Sequence, residues 1–343
     1  MKVLVDIVHP ADVLFFKRPI EAMLMRGDEL RILSRAKDVT GDLLDRFRFE
    51  HTVVSRVGRG VVGLGVELLR RDFAVLRVAR RFRPDVMTGF GGVAVAHVGA
   101  LLGIPSCAFY DSETARLQTR LAWPFISHLT VPESYRGPVP SGRTAYIPGT
   151  KELSFLHPAV FRPDPAMARA AGWQQGCDNF LVRIVAWHAN HDLGKAGLDP
   201  ALVREIVHRL SSLGKVHISA EGPLPGDLEP YAFRGDPGAI HHLMAHCRLL
   251  VGESATMAAE CAMLGVPAIY AGHDFPGYIL ELEAAGLVAN IPAGDRATIP
   301  ELIDSLLHRP AETVAAARDA YVARCPDWAD VVVDTLDRLG AAT

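Results

Sequence analysis

At 343 residues, with 49% apolar residues, 22% charged residues and a formal net charge of −3, the chain has the composition of a two-domain globular protein and not of a disordered or fibrous one. Its slight acidity and the absence of a recognised binding motif argue against nucleic acid as a partner. No run of about eighteen uncharged apolar residues is present, so no spanning helix is expected, and five cysteines without CxxC spacing suit a reducing cytoplasm and predict no structural zinc site.

The opening MKVLVDIVHP carries Asp6 and His9 where a signal peptide would be apolar, and reads as a first strand. Strands are expected at Lys2–Ile7, Glu29–Ser34, Glu50–Val54, Val86–Thr88, Ser106–Tyr110 and Leu129–Val131. Helices fall between them at Val13–Arg26, Lys37–Phe47, Glu67–Phe82 and Val93–Leu102. Gly27 and Gly103 sit where helices end, and Pro84 and Pro105 precede strands. The segment Pro132–Asp164 is rich in Pro and Gly and reads as a linker.

After it the rhythm restarts. Phe180–Val185, Val216–Ser219, Leu249–Val251 and Ala268–Tyr270 read as strands. Pro200–Leu213, Ala239–His246, Thr256–Leu264, Tyr278–Ala285, Ile299–Leu307 and Ala311–Arg324 read as helices. The fold class is therefore α/β, with two Rossmann-like doubly wound parallel-sheet domains facing a cleft. Residues 1–150 carry a balance of +6 and residues 151–343 one of −9; much of the basic excess lies in ELLRRDFAVLRVARRFRP, Glu67–Pro84.

In such sheets ligands bind beyond the carboxyl ends of the strands. The stretch VGESATMAAECAMLGVPAI, Val251–Ile269, is one such place: a strand stops at Gly252, passes Glu253, Ser254, Ala255 and Thr256, and opens a helix. A helix start exposes unpaired N–H groups and the positive end of its dipole, which suits a phosphate. Glu260 lies above Thr256 at i,i+4 spacing and could accept two hydrogen bonds from a ribose diol. The competing reading is a plain N-cap by Ser254 or Thr256 with a solvated Glu260.

The segment GESATMAAECAMLGVPAIY resembles the donor-binding segment of the glycosyltransferase-B superfamily, in particular of the peptidoglycan N-acetylglucosaminyltransferase and the UDP-N-acetylglucosamine 2-epimerase. The resemblance implies that Ser254 and its neighbours hold a diphosphate and Glu260 a ribose, with Gly265 and Pro267 leading to the next strand. Ala255 and Thr256 replace the paired glycines of the epimerase. RFRPDVMTGFGGVAVAHVGALLGIPSCAFYDSETA resembles the acceptor-side stretch of the transferase, with Gly91 and Gly92 in the turn and Asp111 and Glu113 in the acidic loop. DIVHPADVLFFK, IPGTKELSFLHP and LVRIVAWHANHDLGKAGL are similar to motifs of an uncharacterised glycosyltransferase-B-like family of unknown function.

On this footing residues 1–160 are the acceptor domain, 161–325 the nucleotide-sugar domain, and 326–343 a helix packing back on the first. His9, after the first strand, is a candidate base; Asp111 and Glu113 are candidates for the same role or for gripping acceptor hydroxyls. Asp12, Gly91, Gly92 and Lys151 are assigned to the acceptor, with helix capping as the alternative for Asp12. His188, Asn190 and His191 are candidate donors to phosphate or sugar oxygens, and Phe233 and Arg234 candidate contacts to the base. No metal and no cofactor is expected beyond the nucleoside-diphosphate sugar as substrate.

The implied function is inverting, metal-independent transfer from a UDP-sugar to a glycan or lipid-linked acceptor. A UDP-sugar 2-epimerase and a non-catalytic nucleotide-sugar binder are the alternatives. The segment 60–82 permits contact with anionic lipid, so the expected location is the cytoplasm, including the inner face of its membrane.

Overall fold

The protein, a computed structural model, is described over residues 1–37, 39–58, 60–185, 198–292, 295 and 297–341. The chain opens with β1 (Lys2–Ile7), α1 (Pro10–Met25), β2 (Glu29–Ala36), α2 (Thr40–Arg46), β3 (His51–Arg56), α3 (Gly60–Phe82), β4 (Val86–Phe90) and α4 (Val93–Leu102). It continues through β5 (Ser106–Phe109), α5 (Arg116–Ala122), β6 (His128–Pro132), β7 (Thr144–Ile147), α6 (Leu153–Leu156) and α7 (Pro165–Ala170). Then come β8 (Asp178–Ile184), α8 (Pro200–Ser211), β9 (Gly214–Ala220), α9 (Ile240–Met244), β10 (Leu249–Gly252), α10 (Ala255–Leu264) and β11 (Ala268–Gly272). The last elements are α11 (Gly277–Ala284), β12 (Val288–Pro292), α12 (Thr298–His308), α13 (Ala311–Val322) and α14 (Trp328–Gly340).

Two compact units result, Met1–Phe155 with Cys325–Thr343, and Leu156–Arg324. The first holds a parallel seven-stranded sheet in the order β3-β2-β1-β4-β5-β6-β7; the second holds a parallel five-stranded sheet in the order β12-β11-β10-β8-β9. Both are doubly wound, and their strand order reverses at β1/β4 and β8/β10. Such strands are covered on both faces and read as unbroken apolar runs. Leu249, Leu250 and Val251 of β10 are accordingly buried, with Phe180 and Val182 of β8 beside them.

The segment read as a linker is corrected here. Up to Phe155 it belongs to the first unit: β7 pairs with β6, and Tyr135 and Leu153 are buried. β7 is an edge strand of partly exposed residues, so it lacks the apolar run that announces an inner strand. Pro19 explains part of the docking. It stands inside α1 and has no N–H for the carbonyl of Phe15, four residues back. The Ser154 hydroxyl donates to that oxygen instead, while Arg18 donates to the Ser154 carbonyl at 3.0 Å and to Asp327 at 2.9 Å. Trp328, at the start of α14, lies 6.3 Å from Phe15 ring to ring and donates its indole N–H to Pro148.

The helix read as Glu67–Phe82 begins seven residues earlier, at Gly60. Its arginines divide. Arg71 is buried and paired with Asp6 of β1, donating also to Ser55 at 2.7 Å. Arg70, Arg77, Arg80 and Arg81 are exposed. Of the apolar residues in this segment, which permits contact with lipid, Leu69 and Phe73 are exposed, whereas Phe82 is buried and Leu68 and Leu76 are half-buried.

His97 of α4 ties three helices together. Its Nδ1 meets Asp72 of α3 at 2.8 Å and its Nε2 meets the Leu121 carbonyl of α5 at 3.0 Å. The hydrogen bond to Asp72 raises the imidazole above its ordinary value of 6.5. A raised histidine contributes stability that is complete below the unfolded value and is lost as pH rises through the folded one. His97→Gln should therefore cost most near pH 6 and progressively less toward pH 8.5, as read from urea unfolding midpoints across that range.

Candidate functional site

In the second unit, β10 ends at the switch point beside β8. A Cβ on Gly252 would lie 2.5 Å from the Arg183 carbonyl, so only glycine lets the two backbones run this close. Glu253 turns its carboxylate toward the protein, accepting from Val185 N at 2.9 Å and from Leu198 N. Those two amides flank residues 186–197, and Glu253 thus anchors backbone where direct contact with a donor was expected. His188, Asn190 and His191 lie outside the described residues.

Ser254 is the N-cap of α10, its hydroxyl accepting from Met257 N at 3.2 Å. The next amides, those of Ala255 and Thr256, have no acceptor among the described residues, and the side chains there are too small to cover them. They form the open positive end of the helix. Glu260 is buried one turn along, with Oε1 3.1 Å from His241 Nε2 of α9. That approach is within ion-pair distance but out of line for a hydrogen bond. A solvated Glu260, the competing expectation, is thereby excluded.

Phe233 is half-buried and extends the loop beside β9, its N–H donating to Ile218 O at 2.8 Å. Arg234 is exposed and pairs with Glu229 at 3.0 Å. His241 was not legible as a site residue. Its i,i+4 relation to Ala245 carries no signal, and only the packing of α9 on α10 brings it to Glu260.

In the first unit the ends of β1, β4 and β5 carry the assigned residues. His9 is the exposed N-cap of α1 and accepts Ala11 N on Nδ1 at 3.2 Å. A neutral imidazole used that way carries its proton on Nε2, which then donates. Asp12 closes the capping box, its Oδ2 accepting from Val8 N at 3.0 Å and His9 N at 2.9 Å. Burial pushes the Asp12 carboxyl up to about 7, against the two amides and the Lys151 charge, which pull it down.

Gly91 and Gly92 both have positive φ, +73° and +52°, and Gly92 is the N-cap of α4. A Cβ on Gly91 would fall 1.9 Å from the Gln118 amide nitrogen, so the turn and Gln118 are fitted to one another. Asp111 is buried and ion-paired with Lys151, whose Nζ also lies 3.4 Å from Glu152 and 5.4 Å from the centre of the Phe90 ring. Two residues assigned separately are thus brought together, and Glu152, fully buried, joins them. Glu113 stands apart from this group and accepts Arg136 N at 3.2 Å. Beside the β1/β4 switch point lies a cavity of about 180 Å³ with Asp6, Val8, Arg71, Phe90, Gly92 and Gln118 in its wall.

Two doubly wound parallel sheets, each with a loop cluster at its switch point, define a glycosyltransferase-B-type fold. Comparison with known proteins agrees. Residues 1–136 match a family described as a protein of unknown function (DUF354). A stretch of 141 residues is 30% identical to the UDP-N-acetylglucosamine–N-acetylmuramyl-(pentapeptide) pyrophosphoryl-undecaprenol N-acetylglucosamine transferase of Anaeromyxobacter sp. (strain Fw109-5). That match spans 37% of this chain and 36% of the transferase. Among solved structures, the UDP-GlcNAc 2-epimerase from Neisseria meningitidis bound to UDP-GlcNAc is similar with a TM-score of 0.69 at 14% identity, over 98% of this chain and 100% of that one. A spinosyn rhamnosyltransferase is similar with a TM-score of 0.67 at 15% identity, over the same shares. At such identities the likeness is one of fold.

Lys151→Met would leave the buried Asp111 and Glu152 without their cation. Breaking a buried pair in this way costs about 3–5 kcal/mol. The expected loss is read from the urea unfolding midpoint near neutral pH.

Proposed function

We propose that this chain is a glycosyltransferase that moves a sugar from a nucleoside-diphosphate donor, with UDP-sugars favoured, to a glycan or lipid-linked acceptor. The observation that carries this reading is the start of α10. Two amides without an acceptor among the described residues follow a serine cap, with a buried carboxylate one turn along. The amides of Ala255 and Thr256 would take the diphosphate and Glu260 the ribose diol. Charge builds on the diphosphate as the anomeric carbon–oxygen bond breaks, and fixed amide dipoles are suited to hold it without a metal. The first unit would bind the acceptor and supply the base, so attack from the face opposite the leaving group inverts configuration.

A second reading, sugar-nucleotide 2-epimerisation, is favoured by the similarity in fold to the Neisseria meningitidis epimerase. The two separate on incubation with UDP-sugars alone, since formation of an epimer or glycal without any acceptor supports epimerisation. Saturable binding without turnover across an acceptor panel supports a non-catalytic binder.

UDP is expected to raise the melting temperature of the wild type, since a ligand at about 100 times its Kd adds about 2.7 kcal/mol. Glu260→Gln should respond far less to UDP. Its response to inorganic diphosphate should be retained, because diphosphate needs only the helix start. A wild type indifferent to every nucleotide, or a variant responding equally to UDP, rejects the donor site.

We further propose that α3 rests on an anionic membrane surface during catalysis. Val62, Leu69 and Phe73 are 82%, 71% and 73% exposed, with Arg70, Arg77, Arg80 and Arg81 exposed on the same helix. Co-sedimentation with phosphatidylglycerol vesicles should be strong at low salt and weak with phosphatidylcholine. Leu69→Glu with Phe73→Glu should abolish it; equal sedimentation of this variant rejects the proposal.

A further inference from the structure

We propose that Asp12 is the general base, receiving the acceptor's proton on Oδ1. This rests on the transferase reading above and assigns its base, a role that the sequence offered to His9, Asp111 or Glu113. Each of those is committed elsewhere. His9 holds Ala11 N on Nδ1, Asp111 is bound to Lys151, and Glu113 accepts the Arg136 amide.

Asp12 is held by two backbone amides and not, like Asp111, by a side-chain cation. Both of its hydrogen bonds among the described residues, from Val8 N and His9 N, fall on Oδ2. Among the described residues Oδ1 has no hydrogen-bond partner, and it is not an atom sealed from solvent. One oxygen thus fixes the carboxylate and the other remains to act. The residue is only 4% exposed, at the carboxyl end of β1 and next to the switch point where α/β sheets take ligands. Val8, which donates to Asp12, also lines the 180 Å³ cavity, and so does Phe90, over whose ring Lys151 lies. A hydroxyl-bearing ring in that cavity would lie against Val8, the residue whose N–H holds Asp12 Oδ2.

The charges acting on Asp12 oppose one another. Asp6 of β1 raises its proton affinity and Lys151 lowers it. Asp6 is itself paired with Arg71 of α3, and Lys151 is shared with Asp111 and Glu152. Burial, the largest influence, outweighs the two amides and Lys151 and lifts the carboxyl to about 7, which makes the carboxylate a far stronger base than an ordinary aspartate and leaves about half of it ionised at neutral pH. In the reaction the acceptor O–H bond breaks, its proton goes to Oδ1, and the oxygen forms a bond to the anomeric carbon. The bond from that carbon to the diphosphate oxygen breaks, and the diphosphate leaves with the electron pair. The proton on Oδ1 then passes to solvent.

Asp12→Asn is the discriminating variant, because an asparagine oxygen can accept the same two amides and keep the cap. The assay is UDP-sugar turnover with a panel of hydroxyl acceptors and with water alone, beside the UDP-induced thermal shift. In the wild type kcat/KM should fall as pH drops through about 7. Asp12→Asn should lose turnover by about 10²–10⁴-fold, lose that acid limb, and keep its thermal response to UDP. Lys151→Met, if it folds, should move the limb to higher pH. A ¹³C-carboxyl titration of the wild type, with Asp12→Asn identifying the signal, should find one aspartate ionising near 7. Turnover that survives in Asp12→Asn, or an Asp12 signal titrating below 5, overturns this inference and leaves the transferase reading standing. A wild type that neither binds UDP nor turns over any UDP-sugar overturns both.

Discussion

The first unit depends on one ammonium group. Lys151 is buried with Asp111 and Glu152 around it, and its charge reaches Asp12. Taking ions out of water costs several kcal/mol each, and only close pairing offsets it. Asp111 comes from the loop after β5 and Glu152 from the segment before α6, so a single cation ties that loop to the Pro148–Leu156 segment. That segment is held in turn by the carbonyl that Pro19 leaves open on α1 and by the Trp328 indole. A second buried pair, Asp6 with Arg71, ties β1 to α3.

Two helix starts in this protein use the same physics in opposite ways. At α1 the capping box is closed: His9 and Asp12 exchange bonds with backbone amides, and the protein satisfies its own helix end. At α10 the cap stops at Ser254, and the two amides after it have no acceptor among the described residues. A closed start is suited to fixing a carboxylate in place, an open one to receiving an anion. The two ends therefore fit distinct roles, proton acceptor and leaving-group holder, in the transferase reading.

Around α10 the supporting residues matter as much as those assigned to contact. Glu253 is spent on the amides of Val185 and Leu198, which fixes where the chain leaves β8 and where it returns. His241 stands against Glu260 and limits the directions in which that carboxylate can turn. Both are acids or bases that a sequence reader assigns to ligand or passes over. Their partners lie 55–68 residues away for Glu253 and on another helix for Glu260.

The sequence by itself determined the architecture and the strand ends at which the candidate residues stand. Apolar runs such as Leu249–Val251, punctuated by Gly and Pro, leave little choice but buried parallel strands and the helices between them. Gly91, Gly92 and the GESAT turn mark strand ends from local backbone requirements alone. What failed were features whose signal is not local. β7 is an edge strand with no apolar run, and the Pro-rich stretch that carries Lys151, assigned to the acceptor, and Glu152 gives no sign that both are buried. Which acid pairs with a lysine, which caps a helix and which keeps an oxygen uncommitted is decided only when strands distant in sequence end side by side. Burial then sets the energy of every charge by its neighbours, and neighbours are a property of the tertiary structure.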